Sequence, residues 1–369
     1  MWSLYQPVKA RFGVGEAMKI AEHMDAFDYK KGFLLADKFM MSCGKADQLK
    51  AAAEGRIVAM SDDVDPNPTL QNVDTVKAQV LACEADCIIA LGGGSAIDCA
   101  KAVSAAVGEG LSGADFLKAT TIEKTLPLIA IPTTAGTGSE VTRSSVLSDH
   151  VSGKKAVVFG DALIPRLALV DPEYTYTMPP AVTAATGLDV MAHALDSMFS
   201  MKTNHVTEAL AMKACKLAVA NLETAILHGD DCEARANMAQ ASTIAGLAFS
   251  QTGTAGSHAC SYVLTAKYHV PHGEACAFTL DDWCVINAEA RPSLKALYQE
   301  MGFVTPQALA DWINKMKKIG GLRARLSEVG AGEDALAELA HEANINHNMA
   351  NNAAKIGYDG ILDLFRNKL

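Results

Sequence analysis

Four short runs are apolar throughout rather than at alternate positions: Gly32-Phe33-Leu34-Leu35-Ala36, Cys87-Ile88-Ile89-Ala90-Leu91, Leu128-Ile129-Ala130-Ile131 and Leu167-Ala168-Leu169-Val170. A strand wetted on one face alternates, whereas one that is apolar at every position is covered on both faces. Helical stretches lie between these runs, at 75–85 and 95–107. Strand and helix in alternation predict a mostly parallel sheet sandwiched by helices. The texture changes at Asp171-Pro172 and Met178-Pro179-Pro180. Beyond it, Ala/Leu/Met-rich segments at 206–228, 232–249, 293–301 and 333–343 carry apolar residues at helical spacing. The expected architecture is an α/β domain at 1–179 and an all-α domain at 180–369. A chain of 369 residues is long enough for two domains.

Half of the residues are apolar and 20% are charged, which permits a large core. The net charge of −10 argues against nucleic acid or an anionic membrane as a partner. The nine cysteines are scattered through apolar segments without a Cys-x-x-Cys pair, as expected of buried thiols in a reducing compartment. Met1 to Pro7 lacks a basic and then apolar leader, and no apolar stretch reaches the ~20 residues of a membrane span. A cytoplasmic protein is expected.

Two loops carry nucleotide signals. Gly92-Gly93-Gly94-Ser95 follows one strand and opens a helix, where bare backbone and free N–H groups suit a phosphate. It is not Gly-x-Gly-x-x-Gly, and a tight strand–helix turn is the competing reading. Pro132-Thr133-Thr134-Ala135-Gly136-Thr137-Gly138-Ser139-Glu140 follows the next strand, at the end of the sheet where ligands bind. Asp37 closes the strand Gly32 to Ala36. An acid there can accept from ribose hydroxyls and repel a 2′-phosphate, or simply cap the following helix.

Asp189 and His193 are four residues apart, on one face of a helix. With His258 and His272 they offer one carboxylate and three imidazoles. That mixed N/O set suits a divalent transition metal, Fe(II) or Zn(II). His23, His150, His205, His228, His341 and His347 have no such context. Cys260 and Cys276 flank ligand candidates but read as buried thiols.

These motifs, in this order, resemble the iron-containing (group III) alcohol dehydrogenases over essentially the whole chain. The resemblance rests on Pro66-Asn67-Pro68-Thr69, Gly92 to Ser95 with Asp98, Ile131 to Thr142, Thr183 to Ala194, His258 and Pro271-His272-Gly273. It implies a Rossmann-like domain, a helical domain of the dehydroquinate synthase-like kind, and an active site in the cleft between them. Asp189, His193, His258 and His272 match the metal ligands. Gly93, Gly94, Ser95 and Asp98 match the pyrophosphate turn, and Thr133, Thr134 and Thr137 the nucleotide loop. Lys155 matches a cofactor-contacting lysine, Asp37 the position that selects NAD over NADP, and Phe249 an aromatic of the substrate pocket. Homodimers are common in such families, so a homodimer is the expectation for this chain.

The implied reaction is NAD(H)-linked hydride transfer between an alcohol and an aldehyde, with the ion polarising the substrate oxygen. One position departs from the family pattern. Tyr262 stands where members commonly carry a second, proton-transferring histidine, and a phenol of pKa ~10 carries protons less readily near neutrality. The run His258-Ala259-Cys260-Ser261-Tyr262-Val263-Leu264-Thr265 and the pair Asn351-Asn352 resemble the phosphonoacetaldehyde reductase branch. An anionic substrate would want a cation, for which Arg143 and Lys267 are the candidates, each with a surface charge as the competing reading. A zinc polyol dehydrogenase of glycerol type is the alternative, followed by a dehydroquinate synthase-type or non-catalytic member of the superfamily.

Overall fold

The computed structural model describes residues 2–118, 121–149 and 155–369. The chain forms two compact units. One comprises Tyr5–Thr134 and Gly138–Thr175; the other comprises Ala135–Thr137 and Tyr176–Leu369, with Trp2 to Leu4.

The first unit is built on eight strands: β1 Lys9–Phe12, β2 Gly32–Ala36, β3 Ile57–Ser61, β4 Cys87–Gly92, β5 Leu128–Pro132, β6 Ser144–Ser148, β7 Lys155–Phe159 and β8 Leu167–Val170. Six form a parallel sheet in the order β1-β8-β5-β4-β2-β3, while β6 and β7 pair as an antiparallel hairpin. Five helices cover the sheet: α1 Ile20–Ala26, α2 Lys38–Ser42, α3 Lys45–Ala52, α4 Leu70–Ala82 and α5 Gly94–Glu109. Phe33, Leu35, Ile88 and Ala90 feed one core cluster, while Leu34, Ala36, Ile89 and Leu91 feed the other. Successive residues of β2 and β4 thus enter cores on opposite faces, which accounts for their continuously apolar sequence.

The four apolar runs are the observed β2, β4, β5 and β8. The sequence pattern missed the rest for physical reasons. Edge strand β1, Lys9-Ala10-Arg11-Phe12, is exposed at all four positions, so it carries no burial signal. Edge strand β3 has mixed burial, and the β6–β7 hairpin alternates buried residues with partly buried or exposed ones. Helix α4 begins five residues before the expected 75, because Thr69 and Asn72 form a reciprocal capping box at its start.

The second unit is helical: α6 Pro180–Phe199, α7 His205–Leu227, α8 Cys232–Thr252, α9 Gly256–Tyr268, α10 His272–Ala290, α11 Leu294–Glu300, α12 Pro306–Gly320, α13 Leu336–Ile345, α14 His347–Asn351 and α15 Gly357–Arg366. Proline at N1 opens α6, where its missing N–H goes unneeded. Every residue of α6 from Gly187 to Phe199 is buried, against α7, α8, α10 and α12. Two glycines permit this packing. A Cβ on Gly187 would overlap Leu222 of α7, and one on Gly273 of α10 would overlap the Ala185 carbonyl of α6. No helix among the described residues is long and apolar enough to cross a membrane.

Candidate metal centre

Asp189 and His193 project from the buried middle of α6, His258 from the first turn of α9 and His272 from the start of α10. Their donor atoms all lie within 4.8 Å of one another. Asp189 Oδ1 is 3.7 Å from His193 Nδ1, 3.8 Å from His258 Nε2 and 4.0 Å from His272 Nε2. Donors held about 2.1 Å from a tetrahedral ion are about 3.4 Å apart, so a slight contraction would close the set around one.

The polar atoms make the same point. Asp189 Oδ1, His193 Nδ1 and His258 Nε2 are buried and have no hydrogen-bond partner. Buried polar atoms are normally satisfied, and three orphans aimed at a common point mark a place for a cation. Asp189, His193 and His258 are under 5% exposed, while the His272 side chain is 36% exposed. The set is therefore closed on three sides and open toward the fourth ligand.

Burial pushes the Asp189 carboxyl up to about 6, with His258 working against the shift. Burial also holds His193 well below the usual imidazole range, helped by the neighbouring His258 and His272 rings, while the Gly136 backbone opposes. For His258, burial disfavours the charged ring, but Cys276 and Asp196 outweigh it and the value rises. Phe249 of α8 stacks on His193, with ring centroids 4.1 Å apart and planes 13° apart. That contact fixes the imidazole and brings an aromatic face to the donor set.

Cys276 lies one turn beyond His272, its Sγ 3.7 Å from His272 Nε2. It is buried and reduced, and burial raises its pKa. Cys260 is likewise buried, its thiol pushed up to about 12 by burial. Among the other histidines, His23 pairs with Glu16 at 3.1 Å, and His205, His228, His341 and His347 lie outside the donor set. His150 lies outside the described residues.

In the sheet unit, Asp37, the glycine turn, Thr133 and Thr134 meet at the C-terminal ends of β2, β4 and β5. A Cβ on Gly92 would come 2.9 Å from Asp37 Oδ2, and one on Gly93 would come 3.3 Å from Thr134 Oγ1. Thr133 N–H donates to the Gly92 carbonyl at 3.1 Å. The order of strand addition reverses at β2, with β3 on one side and β4 on the other, and such a switch point is where open parallel sheets bind ligands. Gly93 is the N-cap of the 16-residue α5, and its first-turn N–H groups face this corner. Asp37 also caps α2, accepting Met40 N–H at 2.8 Å. Ser95 Oγ accepts the Asn67 N–H at 3.3 Å. Lys155 opens β7 opposite Ser148. Thr137 falls in the short stretch that packs with the helical unit.

Two expected contacts are corrected. Asp98 is not a free acceptor beside the glycine turn. Its Oδ1 accepts Ser139 Oγ at 2.5 Å and its Oδ2 accepts Val146 N–H at 2.9 Å. The adjacent Lys101, wholly buried, donates to Ser139 Oγ, Thr142 Oγ1 and the Ser144 carbonyl. Asp98 thus ties α5 to β6 rather than addressing a phosphate. Lys267, proposed as a substrate cation, is exposed and paired with Glu338 of α13. It sits nine residues past His258, about 13 Å along α9. Arg143 pairs with Asp161 at 3.0 Å.

Asp196 is the site residue that sequence reasoning missed. It lies on α6 two turns past Asp189, and its Oδ2 is 2.8 Å from His258 Nδ1. An acid inside an otherwise apolar stretch of α6 was the available signal.

A profile of the iron-containing alcohol dehydrogenases matches residues 7–172, and one of the C-terminal domain of the same family matches 183–369. Long-chain-alcohol dehydrogenase 1 of Geobacillus thermodenitrificans is 36% identical over 340 residues, covering 90% of this chain and 81% of the relative. Among solved structures, the sulfoacetaldehyde reductase of Bifidobacterium kashiwanohense in complex with NAD+ superposes with a TM-score of 0.96 at 37% identity, covering 100% of this chain and 98% of that one. A 1,3-propanediol oxidoreductase gives 0.94 at 30% identity, with both chains fully covered. The chain belongs to the iron-containing alcohol dehydrogenase family and is an oxidoreductase acting on CH–OH groups.

Proposed function

We propose that this chain is a metal-dependent, NAD(H)-linked aldehyde reductase or alcohol dehydrogenase. Its proposed substrates are short aldehydes bearing a phosphonate or sulfonate, and phosphonoacetaldehyde, giving 2-hydroxyethylphosphonate, is the leading one. The observation that carries the reading is the convergence of Asp189, His193, His258 and His272, with three orphaned buried atoms among them. The likeness to a sulfoacetaldehyde reductase supports an anionic head group.

In this reading Asp189 and the three histidines hold the ion, iron by family habit and zinc by the same donor chemistry. An ion held there would supply Lewis acidity toward the substrate oxygen. The partly exposed His272 leaves that side open for the substrate, and Phe249 offers its carbon chain an apolar face. Tyr262 lies one turn past His258 on the same face of α9 and is the group proposed to hand a proton to the product oxygen. Asp37, Gly93, Gly94, Ser95, Thr133, Thr134, Thr137 and Lys155 hold the dinucleotide. Arg143 remains the candidate cation for the anionic head. Residues 1–179 form the cofactor half and 180–369 the metal half, in a cytoplasmic homodimer. Family habit supports the dimer, and nine free cysteines support the reducing compartment.

The test is NADH oxidation by iron- and zinc-loaded protein with phosphonoacetaldehyde, sulfoacetaldehyde, propanal and butanal, and NAD+ reduction with glycerol. The expected kcat/KM for the anionic aldehydes exceeds that for propanal by about tenfold or more, equivalent to about 1.4 kcal/mol. Arg143→Ala should narrow the gap. A preference for propanal or butanal removes the anionic substrate class; no turnover of either nicotinamide removes the whole reading.

Coenzyme choice gives a separate expectation. Asp37→Asn keeps an N-cap for α2 but removes the charge that would face a 2′-phosphate. Its kcat/KM with NADPH should rise by about tenfold or more, about 1.4 kcal/mol of relieved repulsion. Unchanged NADPH kinetics would detach Asp37 from coenzyme selection.

A further inference from the structure

His258 spans two carboxylates of a single helix. Its Nε2 lies 3.8 Å from Asp189 Oδ1, while its Nδ1 lies 2.8 Å from Asp196 Oδ2. Asp196 Oδ2 also accepts the backbone N–H groups of Ala255 at 2.7 Å and His258 at 3.4 Å. These open α9, whose own N-cap residue supplies no side-chain cap. Asp196 therefore fixes both the helix start and the ring that the helix carries.

Its charge is the part that a capping role leaves unexplained. Asp196 is fully buried, and among the described residues its one ion-pair partner is His258. Its second oxygen, Oδ1, has no hydrogen-bond partner. Removing a lone carboxylate from water is costly unless a positive charge compensates. Neither lysine nor arginine does so here. Three neutral imidazoles and Asp189 would leave a divalent ion with one uncompensated positive charge. One more buried carboxylate, a single imidazole away, cancels it.

We propose that Asp196 is a positioning residue for the ion: it locks His258 as an Nε2 donor and provides the second negative charge that balances a divalent cation. This rests on the reading of Asp189, His193, His258 and His272 as an ion site. A carboxylate behind a ligating histidine raises the basicity of the ring and fixes its tautomer.

Asp196→Asn and Asp196→Glu separate this role from simple capping. The amide oxygen can still accept from the same N–H groups but carries no charge; the longer acid keeps the charge. Dissociation constants for Zn(II) and Fe(II) are measured by chelator competition, and metal-free stability by denaturant unfolding. Asp196→Asn is expected to weaken both metals by about 10–100-fold. Asp196→Glu should recover most of that loss, and the affinities are compared only under conditions where denaturant unfolding shows the metal-free variants folded. Wild-type affinity in Asp196→Asn overturns the proposal alone, whereas a wild-type protein that takes up neither ion overturns the ion site with it. Nitrogen-15 imidazole NMR of the zinc-loaded wild type gives a second measurement that needs no variant to fold. His258 protonated at Nδ1 is the expected state, and protonation at Nε2 overturns the proposal.

Discussion

Asp189→Asn is expected to stabilise the metal-free protein at pH 8 while abolishing its metal binding and activity. The carboxyl is buried, and burial lifts it from 3.8 to about 6. Between those values the folded chain holds a proton that the unfolded chain has released. Stability of the metal-free protein therefore falls as pH rises through that window, and the full penalty is present above about pH 6. A rise of that size is equivalent to at most about 3 kcal/mol. The amide carries no charge and escapes this cost. Divalent metal reverses the order, because an ion that binds only the folded wild type stabilises it by mass action. Loss of a ligand should weaken metal by more than the ~100-fold seen for supporting residues, and turnover should fall with it. Denaturant unfolding at pH 8 and pH 4, each with chelator and with zinc, checks all parts. The metal-free gap should be open at pH 8 and nearly closed at pH 4. A metal-free variant less stable than wild type at pH 8 would refute the assignment of Asp189 as a strained, ion-seeking carboxylate.

Gly273→Ala is expected to damage the site without replacing a candidate ligand. The new methyl would overlap the Ala185 carbonyl of α6 and come within 3.1 Å of the Asp189 Cβ. The contact is mainly with backbone, so no side chain can swing away and α10 must move. Overpacking of this kind costs roughly 1–3 kcal/mol. The larger effect is geometric, because α10 carries His272 in the adjacent position. A displacement near 1 Å can cost on the order of 10²-fold in rate. Metal affinity and kcat should both drop, while NADH binding, read by fluorescence quenching, should hold. Wild-type metal affinity in this variant would show that α10 can shift without moving its histidine.

The strands that were legible share one property. β2, β4, β5 and β8 send residues into covered faces, so burial writes their sequence. β1 and β3 are edges, and the β6–β7 hairpin is only half buried, so solvent tolerates almost any residue on them. The candidate ligand set was legible because α6 places Asp189 and His193 one turn apart and because His258 and His272 sit in long motifs. Asp196 was not, since its role depends on the approach of α9 to α6, a distance that no local spacing encodes. Lys267 misled for the complementary reason. Its nearness to His258 in sequence becomes about two and a half turns of separation along a helix, and Glu338 comes from a segment about seventy residues away.

The stretch Ala135–Thr137 belongs to the helical unit although it is flanked by residues of the sheet unit. Within that helical unit, the Gly136 backbone hydrogen-bonds the His193 ring, and a Cβ on Gly136 would meet Thr186 of α6 at 2.8 Å. Splitting the gene at a single site near residue 180 would hence yield a C-terminal fragment missing a piece of its own ligand environment. The two halves are not interchangeable cassettes. A chimera that takes everything before about residue 180 from a relative must restore Ala135–Thr137, which belong to the helical unit.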